Sequence, residues 1–247
     1  MANEGGFFGG LGYLGQKAFS GIVGSLEGIW DYTAGGIAEI FGAHKFAEER
    51  LKNDWINYNA ADEWFKPSGG WKTAGDIASG IGNSLPSLAA SIAVAAATGG
   101  ASAAVQLAAG AGTSFGVSFL SAGGNATKEA YQESGKLSGE EWGYGSLSGL
   151  TEGAVESAGT VLGLGQGAVL KALGKSAAKS AARTGLRKVL VDGFAGEAAE
   201  EFVSTAISPY LKRVTYDKDA KNATAEELAY SAVVGGLSGM LMGGGGY

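Results

Sequence analysis

Residues 77–127 read IASGIGNSLPSLAASIAVAAATGGASAAVQLAAGAGTSFGVSFLSAGGNAT and contain no charged side chain. The run is longer than one bilayer crossing needs, and Gly99-Gly100 would break it into a hairpin of two helices. Ala, Gly and Ser dominate it, and Ala contributes far less to membrane insertion than Leu, Ile, Phe or Val. The composition therefore predicts a helical hairpin that could enter a membrane with help, or pack against protein instead.

The large apolar residues of this run fall on one side of each predicted helix. Ile77, Ile81 and Leu85 recur at helical spacing, whereas the other faces carry small residues. One apolar stripe favours burial against other helices in a resting state. The residues predicted to insert into a membrane are Ile81, Leu85, Leu88, Ile92, Val105, Leu107, Phe115 and Phe119.

Around the hairpin, the sequence predicts an all-α protein in three parts: residues 1–73, 74–126 and 127–247. Residues 1–16 are Gly-rich and are expected to form a loose arm, and residues 44–65 are expected to form one polar helix. The first part ends in a group of aromatic residues, Trp55, Tyr58, Trp64, Phe65 and Trp71. Two interpretations stay open for this group: a belt at a membrane interface, or the aromatic core of a helical domain.

Glycines recur four residues apart along predicted helices in several places, where each costs roughly 1 kcal/mol relative to Ala. Such spacing lets helix backbones approach closely, within the chain or between copies. The predicted helix-packing residues are Gly112, Gly116, Gly145, Gly149, Gly153, Gly235, Gly239 and Gly243. Two of these helices begin with a capping box, at Ser138–Glu141 and at Thr224–Glu227.

Residues 168–191 carry basic side chains with a period of four and include no acid. A basic amphipathic helix suits an anionic membrane surface or, as a weaker suggestion, a phosphate backbone. The alternative is the solvated face of an ordinary helix. The residues predicted to bind an anionic surface are Lys171, Lys175, Lys179, Arg183, Arg187 and Lys188.

No catalytic, metal-binding or cofactor-binding residue is predicted, and the chain is not expected to be an enzyme. Cysteine is absent and His44 is the only histidine, which excludes thiolate chemistry and multi-histidine metal sites. Glutamates pair at 152/156 and 197/201, with Glu200 adjacent, but a di-metal helical bundle also needs Glu-x-x-His. These acids are expected to pair with the basic helix or to line a polar seam. No small-molecule substrate is indicated.

The segments GYGSLSGLTEGAVES (143–157) and GFAGEAAEEFVSTAISPYLKRVTYDKDAKNATAEELAYSAVVGGLSGMLMGG (193–244) resemble a module of large virion-associated proteins. Those proteins belong to phages and prophages of Gram-positive bacteria and are similar in character to internal virion, or ejection, proteins. The resemblance implies delivery with the genome into the cell envelope. It departs from that class in two respects, because ejection proteins are often much longer and many carry a wall-degrading domain.

These observations favour a membrane-active structural protein of a phage particle, which inserts its hairpin and oligomerises into a conduit for genome or protein delivery. The alternatives are a soluble virion component that packs through its Gly/Ala helix faces, and a pore-forming toxin. The expected partners are further copies of the chain, other virion proteins and a lipid bilayer. The N-terminus has no basic n-region, so synthesis in the cytoplasm without a signal peptide is expected, followed by residence in the virion and then the bacterial membrane.

Overall fold

The computed structural model describes residues 6–97, 103–162 and 182–244. Within these ranges the chain is helical and contains no β-strand, which confirms the all-α prediction there. The helices are α1 (Gly6–Trp30), α2 (Gly36–Ile40), α3 (His44–Lys52), α4 (Ala60–Phe65), α5 (Gly70–Ala97), α6 (Ala103–Ser134), α7 (Gly139–Leu162), α8 (Ala182–Val214) and α9 (Ala225–Gly244). A π-helical turn, Asp31–Gly35, joins α1 to α2 without a break.

The long helices pack in pairs: α6 with α7, α8 with α9, and α1 with α5. Further contacts of α1 with α6, α9 with α5 and α7 with α8 join these pairs into one bundle. The turn between α6 and α7 uses Gly135 at a φ of +70°, a left-handed conformation that favours glycine after a helix end. The three predicted parts of the chain thus share helix contacts with one another.

Glycine faces bring these helices unusually close. A Cβ on Gly124 of α6 would lie 2.5 Å from the carbonyl carbon of Gly28 in α1, and closer still to its oxygen. A Cβ on Gly82 of α5 would lie 3.0 Å from the backbone nitrogen of Ile22. Backbone therefore meets backbone at both crossings, and a side chain at either glycine would push α1 away.

Local sequence signals explain where α7 and α9 begin. The carboxylate of Glu141 accepts hydrogen bonds from the backbone N–H of Ser138, at 2.9 Å, and from its hydroxyl, at 2.5 Å. Glu227 accepts the equivalent bonds from Thr224, at 2.7 and 2.9 Å. Each pair satisfies donors at a helix start that would otherwise lack partners, and both predicted capping boxes are confirmed.

Two expectations for the first part of the chain are wrong. The expected loose arm is helical from Gly6, because Tyr13 is fully buried and stacks on Phe65 with 4.8 Å between ring centroids. The expected single helix at 44–65 is two short helices, α3 and α4, with an irregular segment between them. The aromatic group divides in the same way: Phe65 belongs to the core, whereas Trp55 and Trp64 are exposed.

The expectation that the central hairpin could span a membrane is not supported. Among residues 6–97, 103–162 and 182–244, no helix is both long enough and apolar enough to cross a bilayer. The physical reason lies in composition. Helix α5 carries no charged residue after Asp76, but Ala, Gly and Ser occupy most positions of that uncharged part and lower its mean hydropathy.

Candidate functional site

A buried charge network joins α1, α6 and the segment between α3 and α4. The carboxylate of Glu27 is almost fully buried and accepts a bond from Lys128 Nζ at 2.5 Å. It also accepts bonds from the Tyr58 hydroxyl and from the backbone N–H of Trp55, at 3.1 Å. Lys128 makes a second ion pair with Asp54, at 2.5 Å. Each buried charge has a partner, so the network can anchor the 53–59 segment to the bundle.

Asp31, the first residue of the π-helical turn, is less well paired. Its side chain is 1% exposed, its bond from Arg50 is 3.4 Å long, and its Oδ2 has no hydrogen-bond partner in the part of the chain that the structure describes. Burial, together with the neighbouring Glu27 carboxylate, raises the pKa of Asp31 to about 6, although Arg50 and Lys128 oppose the shift. π-helical turns often occur at functional sites, and this one places a buried, weakly paired carboxyl group at its first residue.

An open polar cleft of about 370 Å³ lies over the charge network, walled by α1, α5 and α6. Its two lysines are already engaged: Lys17 pairs with Asp62 at 3.0 Å, and Lys128 pairs with Glu27 and Asp54. The remaining walls carry amides and hydroxyls such as those of Asn83. In the described residues the cleft thus offers hydrogen-bonding groups, but its basic groups are held in ion pairs.

A second polar region lies between α7 and α8, where four glutamate side chains meet. Burial raises the pKa of Glu152 and Glu156 on α7, and burial with the neighbouring carboxylates raises the pKa of Glu197 and Glu200 well above its usual value. The carboxyl of Glu200 donates a hydrogen bond to Glu156. These four residues, called the carboxyl cluster below, form a polar seam between the two helices.

A cavity of about 280 Å³ adjoins the carboxyl cluster and reaches α6. Glu152 accepts a hydrogen bond from Ser204 on one of its walls. On another, the buried Tyr144 hydroxyl is 3.0 Å from Ser208 Oγ and donates to Glu129 at 3.4 Å. Within the ranges that the structure describes, no group of three or more Asp, Glu or His side chains has a geometry that could hold a metal ion.

The predicted membrane-insertion residues are partly held inside the fold. Phe115 and Phe119 are half-buried, with parallel rings 6.1 Å apart, and Phe119 also meets the edge of Tyr32 at 5.5 Å. Ile81 is half-buried, and the side chain of Leu85 is 37% exposed. The side chains of Leu88, Ile92, Val105 and Leu107 lie outside the described part of the chain.

The predicted helix-packing glycines fall into two groups. Gly145, Gly149 and Gly153 of α7 face α6, where a Cβ on Gly149 would lie 3.0 Å from the ring of Phe119. A Cβ on Gly235 of α9 would meet Glu201 and the backbone of Glu197 in α8, and Gly239 is buried nearby. By contrast, a Cβ on Gly112 or Gly116 of α6 would have no atom of the described residues within 4 Å. The surroundings of Gly243 are outside the described residues.

Most of the predicted basic helix also lies outside the described residues, including Lys171, Lys175 and Lys179. Arg183, Arg187 and Lys188 lie on the first three turns of α8, but their side chains are not among those described. The expected pairing between this helix and the glutamates therefore stays a prediction.

Helix α1 has a surface arrangement that the sequence reasoning missed. Its buried side carries polar and small residues, including Ser25, Glu27 and Gly28, whereas Phe19 is 57% exposed and Trp30 is 51% exposed. In the sequence, Phe19, Ile22, Val23, Leu26 and Ile29 recur at helical spacing, but this periodicity does not say whether their common face meets protein or solvent. An available signal was the pair Glu27 and Asp31, which are spaced four apart in an otherwise uncharged stretch.

Comparison with protein families, with curated proteins and with solved structures finds no match for this chain.

Proposed function

We propose that this chain is a structural, helical protein that assembles with further copies of itself, as a component of a phage-type particle. The observation that carries the proposal is a row of large apolar side chains exposed on the outer side of α1 and α2. This row, called the apolar stripe below, consists of Leu11, Phe19, Leu26, Trp30, Ile37, Ile40 and Phe41.

The apolar stripe is too continuous to be scattered surface hydrophobicity. Phe19, Leu26 and Trp30 follow one another at spacings of seven and four residues, which keeps them on one side of α1. Ile37 follows beyond the π-helical turn and is 52% exposed. Ile40 and Phe41 extend the row and are more than 80% exposed. Contiguous exposed apolar surface of this kind is typical of interaction sites.

A second copy of the chain fits this surface better than an anionic lipid surface does. Gly15 lies between Leu11 and Phe19 on the exposed side, and a Cβ there would have no described atom within 4 Å, so another helix could approach its backbone closely. The net charge of −6 disfavours contact with anionic headgroups.

The energetics favour a symmetric arrangement. Covering a half-exposed apolar side chain contributes about 1 kcal/mol. A two-fold interface would use the stripe of both copies, which raises the gain toward the range of roughly 4–15 kcal/mol that association costs. The assignment to a phage-type particle is supported by the resemblance of residues 143–157 and 193–244 to the virion module described above.

Sedimentation velocity of the purified protein, from micromolar to near-millimolar concentration, tests the assembly. We expect a concentration-dependent oligomer that the double variant Phe19→Glu/Ile40→Glu converts to monomer. The matched control is Leu150→Glu, which places the same charge at an exposed leucine of α7. A wild-type monomer throughout, or an oligomer that tolerates the double variant but not the control, refutes the proposal.

The second candidate is the membrane-active protein, and the observation in its favour is the absence of charge throughout residues 77–127. Insertion would require α6 to leave α7, because Phe115 and Phe119 pack against the glycine face of α7 in the folded form. Flotation with neutral and anionic liposomes, with dye leakage, tests it. The variants Ala95→Lys and Gly112→Lys should abolish leakage, since a charge at a helix centre costs about 2.5–3.5 kcal/mol on insertion scales. Failure of the wild type to float removes this candidate.

A further inference from the structure

The carboxyl cluster places four ionisable groups of one sign between two packed helices. Glu152 and Glu156 project from α7, and Glu197 and Glu200 project from α8. Glu156 and Glu197 are each 7% exposed, and the other two are half-buried. Four carboxylates in such a space would repel one another strongly, so the packed arrangement requires that protons occupy some of them.

An unpartnered atom points to the same conclusion. Glu197 Oε1 is buried without a hydrogen-bond partner among the described residues, and its ionisable neighbours are Glu156, Glu201 and Glu152. A buried ionised carboxylate with a free oxygen beside other acids would carry a large desolvation penalty. Glu200 and Glu156 avoid that penalty by sharing a proton in one hydrogen bond. Binding of protons thus accounts for both features.

The surrounding helices supply no compensating positive charge among the described side chains. From α6, Glu129 faces Glu152 across the smaller cavity, and Glu129 forms an ion pair with Lys212 at 2.8 Å. From α9, the uncharged Gly235 lies over Glu197 and Glu201. Glu201 lies at the edge of the cluster, where burial and the Glu152 carboxylate raise its pKa to about 7, so it adds a further acid and no positive charge.

The other ionisable groups of these helices lie away from the carboxyl cluster or are engaged elsewhere. On α9 they lie toward its N-terminal end: Glu226, Glu227 and Tyr230, of which Tyr230 donates to Asp76. On α7, Glu140, Glu141 and Tyr144 belong to its first turns. The basic side chains described on α6 to α9 are Lys128, paired with Glu27 and Asp54, Lys212, paired with Glu129 and Glu133, and Arg213, bonded to Ala220 and Asn222.

We propose that the carboxyl cluster is a pH-dependent latch, which holds α7 against α8 while it is protonated and lets the two helices separate when it loses protons. The far end of α8 behaves in the opposite way. There Lys212 bridges Glu129 and Glu133, at 2.8 and 2.9 Å, and Tyr216 donates to Glu133 at 2.5 Å. That end stays closed when carboxylates are ionised, so it acts as the hinge about which α8 swings.

The direction of the pH effect follows from linkage. A glutamate whose pKa is raised in the folded state stabilises the closed form fully below its ordinary value near 4.5, and the stabilisation is lost as pH rises toward the raised value. For each proton released on opening, the ratio of open to closed molecules increases about tenfold per pH unit across that interval. The latch is therefore closed in acid and weakened toward neutral pH and above, independently of the proposed assembly through the apolar stripe.

Hydrogen exchange measured by mass spectrometry at several pH values between 5 and 8, after correction for intrinsic exchange rates, tests the latch. We expect protection of α7 and of residues 195–204 in the wild type to fall at least tenfold per pH unit over part of this range. The variant Glu197→Gln/Glu200→Gln, which keeps shape but removes two of the ionisable groups, should show protection that depends much less on pH than in the wild type. The control is Glu226→Gln, an exposed glutamate on α9, which should behave as the wild type does.

A second measurement keeps the proposal falsifiable if the double variant folds poorly. Carbon-13 detection of the wild-type glutamate carboxyls should show resonances that titrate well above the ordinary glutamate value, and these resonances should be missing or shifted in Glu197→Gln/Glu200→Gln. If every glutamate titrates near or below its ordinary value, the cluster is neutralised by cations, such as the basic residues between 171 and 188, and the latch is refuted. Protection that stays constant with pH in the wild type, or that falls equally in the double variant, also refutes it.

Discussion

The close crossing of α1 and α6 makes a quantitative prediction for a single methyl group. In Gly124→Ala the new Cβ would lie 2.5 Å from the carbonyl carbon of Gly28 and 2.8 Å from its Cα. The reciprocal contact is equally tight, since a Cβ on Gly28 would lie 2.5 Å from the carbonyl oxygen of Ser121. The obstructing atoms are backbone, which no rotamer change can move, so α1 and α6 would have to separate by on the order of 1 Å.

The magnitude is the balance of two effects. Overpacking a close contact typically costs about 1–3 kcal/mol, and a backbone obstruction belongs at the upper end. Replacing a helical Gly by Ala returns about 1 kcal/mol of helix propensity. Gly124→Ala should therefore lower the free energy of unfolding by about 2 kcal/mol. Gly112→Ala, on the same helix but with its new Cβ more than 4 Å from any other described group, should raise it by up to about 1 kcal/mol.

Thermal unfolding followed by circular dichroism, with urea titration in parallel, compares the two variants. A difference of about 3 kcal/mol corresponds to about 6–12 °C in Tm for a chain of this length. Because both substitutions have the same chemistry and lie on the same helix, propensity cancels and the helix crossing accounts for the difference. Equal Tm values, or a Gly124→Ala protein more stable than Gly112→Ala, would refute the close approach of α1 to α6.

Three further substitutions test the buried polar groups. Lys128→Met should cost about 3–5 kcal/mol, because it leaves the Glu27 carboxylate buried without its cation, and adding Glu27→Gln should restore part of that loss in urea titrations. Asp31→Asn should flatten the dependence of the unfolding free energy on pH between about 4 and 6. The raised pKa of Asp31 stabilises the fold below about pH 4, and that stabilisation is lost as pH rises through 6. The same slope in the variant and the wild type, measured up to pH 7, would contradict this. Tyr13→Phe should lower the unfolding free energy by about 0.5–1.5 kcal/mol, through loss of the 2.9 Å bond to Asp62, and a neutral result would place the hydroxyl outside the fold's stabilising contacts.

Local sequence signals predicted several features of the fold. The capping boxes at Ser138 and Thr224 mark the starts of α7 and α9 because their hydrogen bonds lie within four residues of chain. Helical spacing of glycines likewise pointed to close packing, and Gly149 and Gly153 do lie against α6. Such features can be recognised without knowledge of which helix packs on which.

The surface of α1 and the carboxyl cluster were less accessible from sequence. Periodicity assigns Phe19 and Leu26 to one side of a helix, but the tertiary arrangement buries the small and polar side instead. The glutamate pairs at 152/156 and 197/201 were recognisable along the chain. Whether they meet across a helix interface depends on how α7 packs on α8, and no local spacing encodes that.

The π-helical turn at Asp31–Gly35 gives this chain an uneven tolerance of length changes. A π-helical turn accommodates one extra residue within an otherwise continuous α-helix, so removing one residue there would restore ordinary α-helical winding and leave α1 and α2 in the same phase. Removing one residue from the regular part of α1 would instead rotate everything beyond it by about 100° and turn Glu27 and Asp31 away from their partners. Single-codon deletions between positions 32 and 35 should therefore be recovered far more often from a random library than single-codon deletions between positions 20 and 24.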